Sequence, residues 1–242
     1  MHRTAGIVII GNEILSGKVQ DANSPFLCTE LRALGVEVQK ISAIADDPEL
    51  IAREVREFSE RFDLVFTTGG VGPTHDDMTI EGIARGFGTR VVRHPRLQEM
   101  IEGYYKGDVK EAHLKMAEVP EGCELIEGEQ LWVPVMVYRN VYIFPGIPEI
   151  LRQKFETIKE RFREAPFFLR KVYVMEGESA IAELLHDLLK KFPELMLGSY
   201  PVINLSEYKV MLTLESRNEA YLEQALKRLL ETLPARSVVR VD

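Results

Sequence analysis

Short apolar runs alternate with longer segments of helical periodicity through most of the chain. The runs at 6–10, 36–44 and 63–67 have the length and apolar content of buried strands. The segments that follow them place apolar residues on one side at helical spacing. Strands joined by helices form mostly parallel sheets, so this alternation predicts an α/β fold with ligand sites at the carboxyl ends of the strands.

The segment between residues 95 and 166 is less regular. Residues 95–118 are predicted to be mostly helical, and residues 131–144 read as a hairpin that turns near Arg139 and Asn140. The sequence "PGIPEILRQKFETIKERF" then predicts another helix that opens at a proline.

The pattern changes near residue 167. The remaining segments follow the order β-α-β-β-α-β, with predicted elements at 168–175, 178–191, 197–203, 207–216, 218–232 and 237–241. That order is typical of a small ferredoxin-like α+β domain. We therefore predict two domains, 1–166 and 167–242, with the segment "REAP" as the junction.

Composition and charge argue against several functional classes. With 45% hydrophobic residues, the chain has no apolar run of the roughly 18 to 20 residues that a membrane helix needs, so no membrane partner is expected. A formal charge of −8 argues against a nucleic-acid surface, because phosphate backbones are bound by clustered Lys and Arg. The N-terminus does not resemble a signal peptide, and Cys28 and Cys123 form no CxxC motif, which predicts a cytoplasmic protein.

Four polar or glycine-rich connections follow predicted strands, at 11–23, 45–48, 68–77 and 145–149. The first is much longer than the usual strand-to-helix connection of about two to six residues. Because the carboxyl ends of parallel strands meet at one edge of a sheet, the four connections are expected to converge there. This convergence predicts a small-molecule pocket.

The third connection contains the stretch "TTGGVGPTHDD". Gly69, Gly70 and Gly72 follow strand 63–67 and precede a predicted helix at 76–87. Glycines let the backbone approach a ligand closely, and a helix N-terminus presents N–H groups, so the stretch fits a phosphate site. It matches neither GxGxxG nor a P-loop.

The same stretch also fits a plain turn. Thr74 and Asp77 have the spacing of a capping box, with Thr74 as N-cap, and Gly86 and Gly88 are predicted to close the helix. Asp76 and Asp77 lie about 100° apart around a helix, so at most one faces a given ligand atom. One such carboxylate could bind Mg²⁺ together with phosphate oxygens, or could simply complement the helix dipole.

Two further connections allow similar alternatives. In "ADDP", Asp46 or Asp47 reads as an N-cap, and in "FPGIPE", Gly146 lies in either a rigid turn or a second loop that approaches the ligand closely.

At these residues the chain resembles a known family. The stretches "GNEILSGKVQDANSPFLCTEL", "TTGGVGPTHDDMT", "EVPEG" and "FPGIP" are similar to the molybdopterin-binding-fold domain. That domain occurs in the competence/damage-inducible protein A (CinA) family, in MoaB/Mog-like molybdopterin biosynthesis proteins and at the N-terminus of eukaryotic FAD synthases. The segments "LWVPVMVYRNVYIFPGIPEILRQKFE", "LGSYP" and "YKVMLTLES" look most like the FAD-synthase branch, so the resemblance covers essentially the whole chain.

The resemblance implies a three-layer α/β/α domain and a set of site residues. The implied phosphate and nucleotide ligands are Gly69, Gly70, Gly72, Thr74, Ser16, Asn23 and Gly146. Asp77 and Asp46 are implied to bind metal and act in catalysis, with Asp76 and Glu13 as weaker metal candidates.

The implied activity is divalent-metal-dependent hydrolysis of the pyrophosphate bond of FAD or ADP-ribose, with Mg²⁺ or Co²⁺ and K⁺ as cofactors. The alternatives are a non-catalytic module that binds a nucleotide or pterin, and molybdopterin adenylylation. Family resemblance also implies a homo-oligomer, without fixing a dimer or a trimer.

The sequence departs from the family pattern at three places. The usual "GDE" reads "GNE", so Asn12 replaces an acid that could contribute to metal binding. The segment "EGEQLWVPVMVYRN" stands where CinA-type members carry Gly-Thr-Ala-Pro-Gly. The deamidase domain of CinA proteins and the adenylyltransferase domain of FAD synthases have no counterpart here, so neither activity is expected.

Overall fold

The structure is a computed structural model that describes residues 2–106, 108–128, 131–203, 207–234 and 236–242. The chain divides into two compact units, Met1–Glu164 and Ala165–Asp242. This division falls within the segment "REAP", residues 163–166, that the sequence predicted as the junction.

The first unit is an α/β domain. Its elements are β1 (Thr4–Ile10), α1 (Asn12–Leu15), α2 (Asn23–Ala33), β2 (Glu37–Ile44), α3 (Pro48–Arg61), β3 (Leu64–Thr68), α4 (Thr79–Phe87), β4 (Val91–Arg93), α5 (Pro95–Tyr105), α6 (Glu111–Lys115), β5 (Glu118–Pro120), β6 (Glu124–Ile126), β7 (Val135–Tyr138), β8 (Val141–Phe144) and α7 (Pro148–Ile158), which a 3₁₀ turn extends to Phe162.

Six strands form the main sheet of this unit, in the order β2-β1-β3-β8-β7-β6. Strands β2, β1, β3 and β8 are parallel to one another, β7 is antiparallel to β8, and β6 is antiparallel to β7. The predicted mostly parallel sheet is confirmed. Since Met136 of β7 pairs with Ile143 of β8, the start of β7 lies at the same edge as the carboxyl ends of the four parallel strands.

Apolar side chains cover both faces of the sheet. On one face α2 and α7 contribute Leu27, Leu31 and Phe155 to a buried layer. On the other face α3, α4 and α5 contribute another layer, including Val55 and Ile83. Helices on both faces of one sheet confirm the three-layer α/β/α architecture.

Helices α3 and α4 approach each other closely. A Cβ atom on Gly82 would lie 2.5 Å from Ile51, and one on Gly86 would lie 2.5 Å from the carbonyl oxygen of Ala52. The prediction that Gly86 helps to close this helix is therefore wrong, because Gly86 lies inside α4 and permits close packing. Gly88 ends α4 as predicted, in the left-handed conformation.

Two other predicted segments are shorter than expected. The helical region 95–118 consists of α5 and α6, and Gly107 between them lies outside the described residues. The hairpin turns at Arg139, which has a φ of 55°, but its first strand begins at Val135 and not at Leu131.

The second unit has the predicted β-α-β-β-α-β order. Its elements are β9 (Phe168–Val174), α8 (Glu178–Lys191), β10 (Met196–Pro201), β11 (Val210–Ser216), α9 (Glu219–Thr232) and β12 (Val238–Val241). The strands form an antiparallel sheet in the order β10-β11-β9-β12, and α8 and α9 pack on it through residues such as Leu185 and Leu222. Within the described residues, no helix combines the length and apolar character that a membrane crossing requires.

Candidate functional site at the carboxyl edge of the main sheet

Asn23 connects three of the four predicted loops. Its Nδ2 donates to Thr68 Oγ1 at 2.8 Å and to the carbonyl oxygen of Gly146 at 2.8 Å. Thr68 Oγ1 in turn donates to the carbonyl oxygen of Pro145 at 3.1 Å. Asn23 is buried, so these bonds hold the loops after β1, β3 and β8 together away from solvent.

The loop after β2 joins the same group. The Gly11 N–H donates to the carbonyl oxygen of Ile44 at 3.1 Å, and the Asn12 N–H donates to Asp46 Oδ2 at 2.7 Å. The structure thus brings the four connections predicted to converge to one edge of the sheet.

The glycine stretch begins with two residues of positive φ. Gly69 has a φ of 102° and Gly70 a φ of 62°. A Cβ atom on Gly69 would overlap the carbonyl oxygen of Ile10, and one on Gly70 would lie 2.5 Å from Thr79 Oγ1. Only glycine fits this turn, because both the backbone conformation and the available space exclude a side chain.

Thr79 fixes the turn from the other side. Its hydroxyl donates to the carbonyl oxygen of Gly69 at 2.8 Å, and its N–H donates to the carbonyl oxygen of Gly70 at 2.9 Å. Thr79 is fully buried and is the first residue of α4. The N-terminus of α4 is thereby held directly against the glycine turn.

The predicted N-cap is wrong. Helix α4 begins at Thr79, three residues later than expected, and Met78 precedes it without a side-chain cap. Thr74 and Asp77 still interact, since the Thr74 N–H donates to Asp77 Oδ2 at 2.8 Å and the Thr74 hydroxyl donates to the same oxygen. They close a separate turn, because the bonds of Thr79 to the glycine turn fix where the helix starts.

Asp77 lies directly over the glycine stretch. A Cβ atom on Gly72 would be 2.7 Å from Asp77 Oδ2, so the absence of a side chain at Gly72 makes room for this carboxylate. Asp76 is exposed, whereas Asp77 is half-buried, and the hydrogen bond from the Thr74 side chain lowers the pKa of Asp76. The two neighbouring acids therefore occupy different environments.

Asp46 and Asp47 also separate into two roles. Asp47 is the N-cap of α3 and accepts hydrogen bonds from the N–H groups of Glu49 and Leu50, both at 2.9 Å. This leaves Asp46 free to accept from Asn12 at the candidate site. The choice of N-cap that the sequence left open is thus resolved in favour of Asp47.

The pKa of Asp46 is raised above the usual value for an aspartate. Partial burial is the main cause, and the negative charges of Glu13, Asp76 and Asp77 raise this pKa further. The hydrogen bond from the Asn12 N–H acts in the opposite direction. Carboxylates from two other loops therefore repel that of Asp46, and a nearby cation would relieve this repulsion.

These acids form no complete protein cage for a metal. Among the described residues, no group of three or more His, Cys, Asp and Glu side chains is arranged to hold a metal ion. Carboxylate oxygens fit Mg²⁺, which is commonly bound through one or two carboxylates with the remaining positions taken by water and substrate phosphate. The donor set fits a metal that arrives with a phosphorylated ligand.

A pocket of about 360 Å³ lies beside the glycine stretch, and Gly70, Gly72, Asp77 and Lys115 help to line it. Lys115 of α6 donates through Nζ to the carbonyl oxygen of Thr74. This places a positive charge next to a loop that was predicted to bind phosphate.

Sequence reasoning missed Lys115 and Thr79. A single lysine in a helical segment carries no local signature, and the role of Thr79 depends on a hydrogen bond to Gly69. Of the remaining predicted residues, Ser16 is exposed and donates through Oγ to the carbonyl oxygen of Glu13 at 3.3 Å. Gly146 faces the glycine turn, since a Cβ atom on it would lie 3.4 Å from Gly69 Cα.

Comparisons with known proteins agree with this architecture. Residues 6–164 match the family model described as a probable molybdopterin binding domain, and residues 166–242 match the middle domain of FAD synthase. A protein of Archaeoglobus fulgidus is 35% identical over 94% of this chain and 96% of its own length.

Two further similar proteins are a probable FAD synthase and a CinA protein of known structure. A probable FAD synthase of Caenorhabditis briggsae is 32% identical over 95% of this chain, which spans only 50% of that protein. The crystal structure of the protein CinA of Thermoplasma acidophilum, described as having unknown function, has a TM-score of 0.62 at 31% identity and covers 67% of this chain and 100% of its own. The chain therefore belongs to the family of proteins with a probable molybdopterin binding domain, and it is similar to CinA and to the FAD synthases within that family.

Proposed function

We propose that the protein hydrolyses the pyrophosphate bond of a nucleotide such as FAD or ADP-ribose with the help of a divalent metal ion. The observation that carries this proposal is the position of Asp46, with Glu13, Asp76 and Asp77 near enough to repel its carboxylate, in the loops beside a glycine turn at a helix N-terminus. The turn suits phosphate, and the carboxylates suit the metal that neutralises phosphate.

Phosphate binding depends on the backbone at 69–72 and on the start of α4. The first turn of a helix carries N–H groups without intrahelical acceptors, and Met78 supplies no side-chain cap for them. The N–H of Thr79 already donates to the carbonyl oxygen of Gly70, so an anion would bind the N–H groups that follow it. These groups and the helix dipole favour an anion. Lys115 adds a full positive charge on the pocket wall.

Asp77 and Asp46 would hold the metal, with Glu13 and Asp76 as additional carboxylates. When bound, Mg²⁺ or Co²⁺ supplies positive charge to the phosphoryl oxygens and lowers the pKa of bound water. Asp77 lies over the glycine stretch and can orient a water molecule toward a phosphate held there. K⁺ is a further proposed cofactor.

The reaction breaks one P–O bond of the pyrophosphate. A water oxygen attacks one phosphorus atom, and the bridging oxygen leaves with the other phosphate. FAD yields FMN and AMP, and ADP-ribose yields AMP and ribose 5-phosphate. The backbone N–H groups, Lys115 and the metal site all act on the charge that develops on the phosphoryl oxygens.

The test is to incubate the purified chain with FAD, ADP-ribose or NAD in the presence of K⁺ and of Mg²⁺ or Co²⁺. We expect AMP from at least one of them by chromatography, and much less AMP from the Asp77→Asn variant. No AMP from any substrate, at enzyme concentrations that exclude slow turnover, would overturn the proposal.

A binding module without turnover is the second candidate. Asn12 replaces a family acid, and its N–H donates to Asp46, so one expected negative charge is missing beside the proposed metal site. Calorimetry distinguishes the two functions. Tight nucleotide or pterin binding that Asp77→Asn leaves unchanged, with no product formed, would establish the module.

A further inference from the structure

The pocket beside the glycine stretch extends beyond the residues assigned to phosphate. Besides Gly70, Gly72 and Lys115, it is lined by Glu118 and by several apolar side chains. Cavities that are mostly apolar and carry a few polar groups are typical small-molecule sites, and about 360 Å³ lies within their usual range of roughly 300 to 1,000 Å³. The apolar lining residues are Val71, Met78, Ile80, Val91, Met116 and Met136. The pocket therefore offers a wall suited to a flat ring next to the proposed phosphate loop.

Glu118 differs from the other carboxylates of this pocket in having no partner. Asp77 accepts a hydrogen bond from the Thr74 N–H at 2.8 Å, and Glu81 forms an ion pair with Arg85 at 2.6 Å. Within the described part of the chain, no donor or cation is bound to the side chain of Glu118. Its carboxylate is thus the one left to meet a ligand.

The strand β5 directs Glu118 toward the pocket. Its neighbours Ala117 and Val119 are buried in the layer that covers one face of the main sheet, and successive side chains of a strand point to opposite sides. Arg93 lies opposite Glu118 on β4, but its guanidinium pairs with Glu111 instead. Glu118 is half-buried, so a donor supplied by a ligand would restore a hydrogen bond that the fold does not provide.

The chemistry of a carboxylate restricts the ring that can lie against it. An ionised carboxylate accepts hydrogen bonds and donates none. Guanine presents two adjacent donors, its ring N–H and its 2-amino group, which match the two carboxylate oxygens. Adenine presents one amino group beside a ring nitrogen that the carboxylate repels, and isoalloxazine presents one N–H between two carbonyl oxygens. We propose that Glu118 binds the ring N–H and the 2-amino group of a guanine nucleotide whose phosphate lies on the loop 69–72.

This inference rests on the proposed function, because it places the phosphate of the ligand on the glycine loop. It changes the preferred substrate to a guanosine diphosphate that is linked to a sugar. Water breaks the same pyrophosphate bond and releases GMP and a sugar phosphate. FAD and ADP-ribose carry adenine and would bind more weakly, through a single amino group. GMP separates the two questions, since it carries the base and one phosphate but has no pyrophosphate bond to break.

The full-length protein is titrated with GMP, IMP and AMP by calorimetry, in one buffer that contains Mg²⁺. IMP differs from GMP only in lacking the 2-amino group. We expect GMP to bind roughly 5- to 150-fold more tightly than AMP, the range that corresponds to one bidentate contact with a base. IMP, which keeps the ring N–H, should bind with intermediate affinity.

Glu118→Gln should reverse this preference. A glutamine side chain offers one acceptor oxygen and one N–H donor group, which match the amino group and the ring nitrogen of adenine but not two guanine donors. We expect GMP to bind roughly 5- to 150-fold more weakly and AMP to bind more tightly than in the wild type. Glu124→Gln is the matched control, because Glu124 is an exposed glutamate of β6 outside the pocket, and it should bind GMP as the wild type does. Circular dichroism checks that both variants fold.

Three results would overturn the inference. They are equal affinities for GMP and AMP, wild-type GMP affinity in Glu118→Gln, and no binding of GMP at all, even if the protein hydrolyses FAD. Neopterin carries the same pair of donors on a pterin ring, so tighter binding of neopterin than of guanosine would overturn the choice of guanine. Conversely, selective GMP binding by a protein that releases no GMP from GDP-mannose would support the base site and count against hydrolysis.

Discussion

The glycine turn after β3 and the acidic loops that face it differ in how firmly the fold holds them. Gly69 is buried, its φ is 102°, and Thr79 and β1 enclose it. Glu13 and Asp76 are exposed, and together with Asp77 they raise the pKa of Asp46 by repulsion. The fold therefore shapes the turn by packing and hydrogen bonds, whereas it leaves the carboxylate of Asp46 among neighbours of the same charge.

The largest effect is expected from a substitution in the glycine turn. In Gly69→Ala the new Cβ atom would overlap the carbonyl oxygen of Ile10, and alanine disfavours a φ of 102°. We expect a loss of roughly 3 to 5 kcal/mol in the free energy of unfolding, measured by urea denaturation.

Gly88→Ala is the matched control, because Gly88 also has positive φ, at 66°, but has nothing within 4 Å of the added Cβ atom. That variant should lose only about 1 kcal/mol. Equal losses in the two variants would show that the turn is no more constrained than an ordinary helix end.

Lys154 tests whether the fold holds the loop 131–134 as firmly as it holds the glycine turn. Burial lowers the pKa of Lys154 from 10.5 to about 8. The unfolded chain then binds this proton more tightly than the folded protein, so stability should rise by up to about 3 kcal/mol between pH 8 and pH 10.5.

Lys154→Met should remove that rise, as measured by urea denaturation at several pH values. It also removes the donor to the Pro134 carbonyl, at a cost of about 1 to 3 kcal/mol that does not depend on pH. If the free energy of unfolding of the wild type does not change over this pH range, burial does not lower the pKa of Lys154.

The acidic loops are tested by comparing substitutions of two neighbouring residues, Asp76 and Asp77. Asp77→Asn keeps an acceptor for the Thr74 N–H but removes a charge over the glycine stretch, whereas Asp76→Asn removes a charge that is exposed to solvent. We expect metal-dependent hydrolysis to fall about 10- to 100-fold in Asp77→Asn and less than about threefold in Asp76→Asn. Similar losses would mean that the contact of Asp77 with Gly72 has no bearing on activity.

The sequence predicted the elements of this fold more accurately than the contacts of its site. Helix α8 matches its predicted range of 178–191, because apolar periodicity and terminal polar residues act locally. The capping-box pattern also found a real contact, since Thr74 does bind Asp77. It failed for the helix start, because Thr79 anchors α4 through a bond to Gly69, ten residues away.

Contacts over longer separations left no pattern at all. The hydrogen bonds of Asn23 to Gly146 and of Lys115 to Thr74 join residues that are 123 and 41 positions apart. Sheet topology predicts that such loops meet, but the pairing of individual side chains depends on the packing of both layers. This is why convergence at one sheet edge could be predicted and Lys115 could not.

The smallest effect is expected at Asp46, where stability and function should change in opposite directions. Asp46→Asn keeps an oxygen that can accept from the Asn12 N–H and removes a charge that Glu13, Asp76 and Asp77 repel. We expect a gain of at most about 0.5 kcal/mol at pH 7, since the group is partly exposed and solvent screens the repulsion.

The pH dependence fixes the sign of this effect. The folded-state pKa of Asp46 is raised, so its ionisation destabilises the native protein, and this penalty grows as pH rises from 3.8 through the raised pKa. The advantage of Asp46→Asn should therefore be present at pH 7 and vanish near pH 4 in thermal denaturation. Mg²⁺ should stabilise the wild type more than the variant, because a cation relieves the same repulsion. A variant that Mg²⁺ stabilises as strongly as the wild type would show that the metal binds elsewhere. The repulsion on Asp46 would then have no part in metal binding.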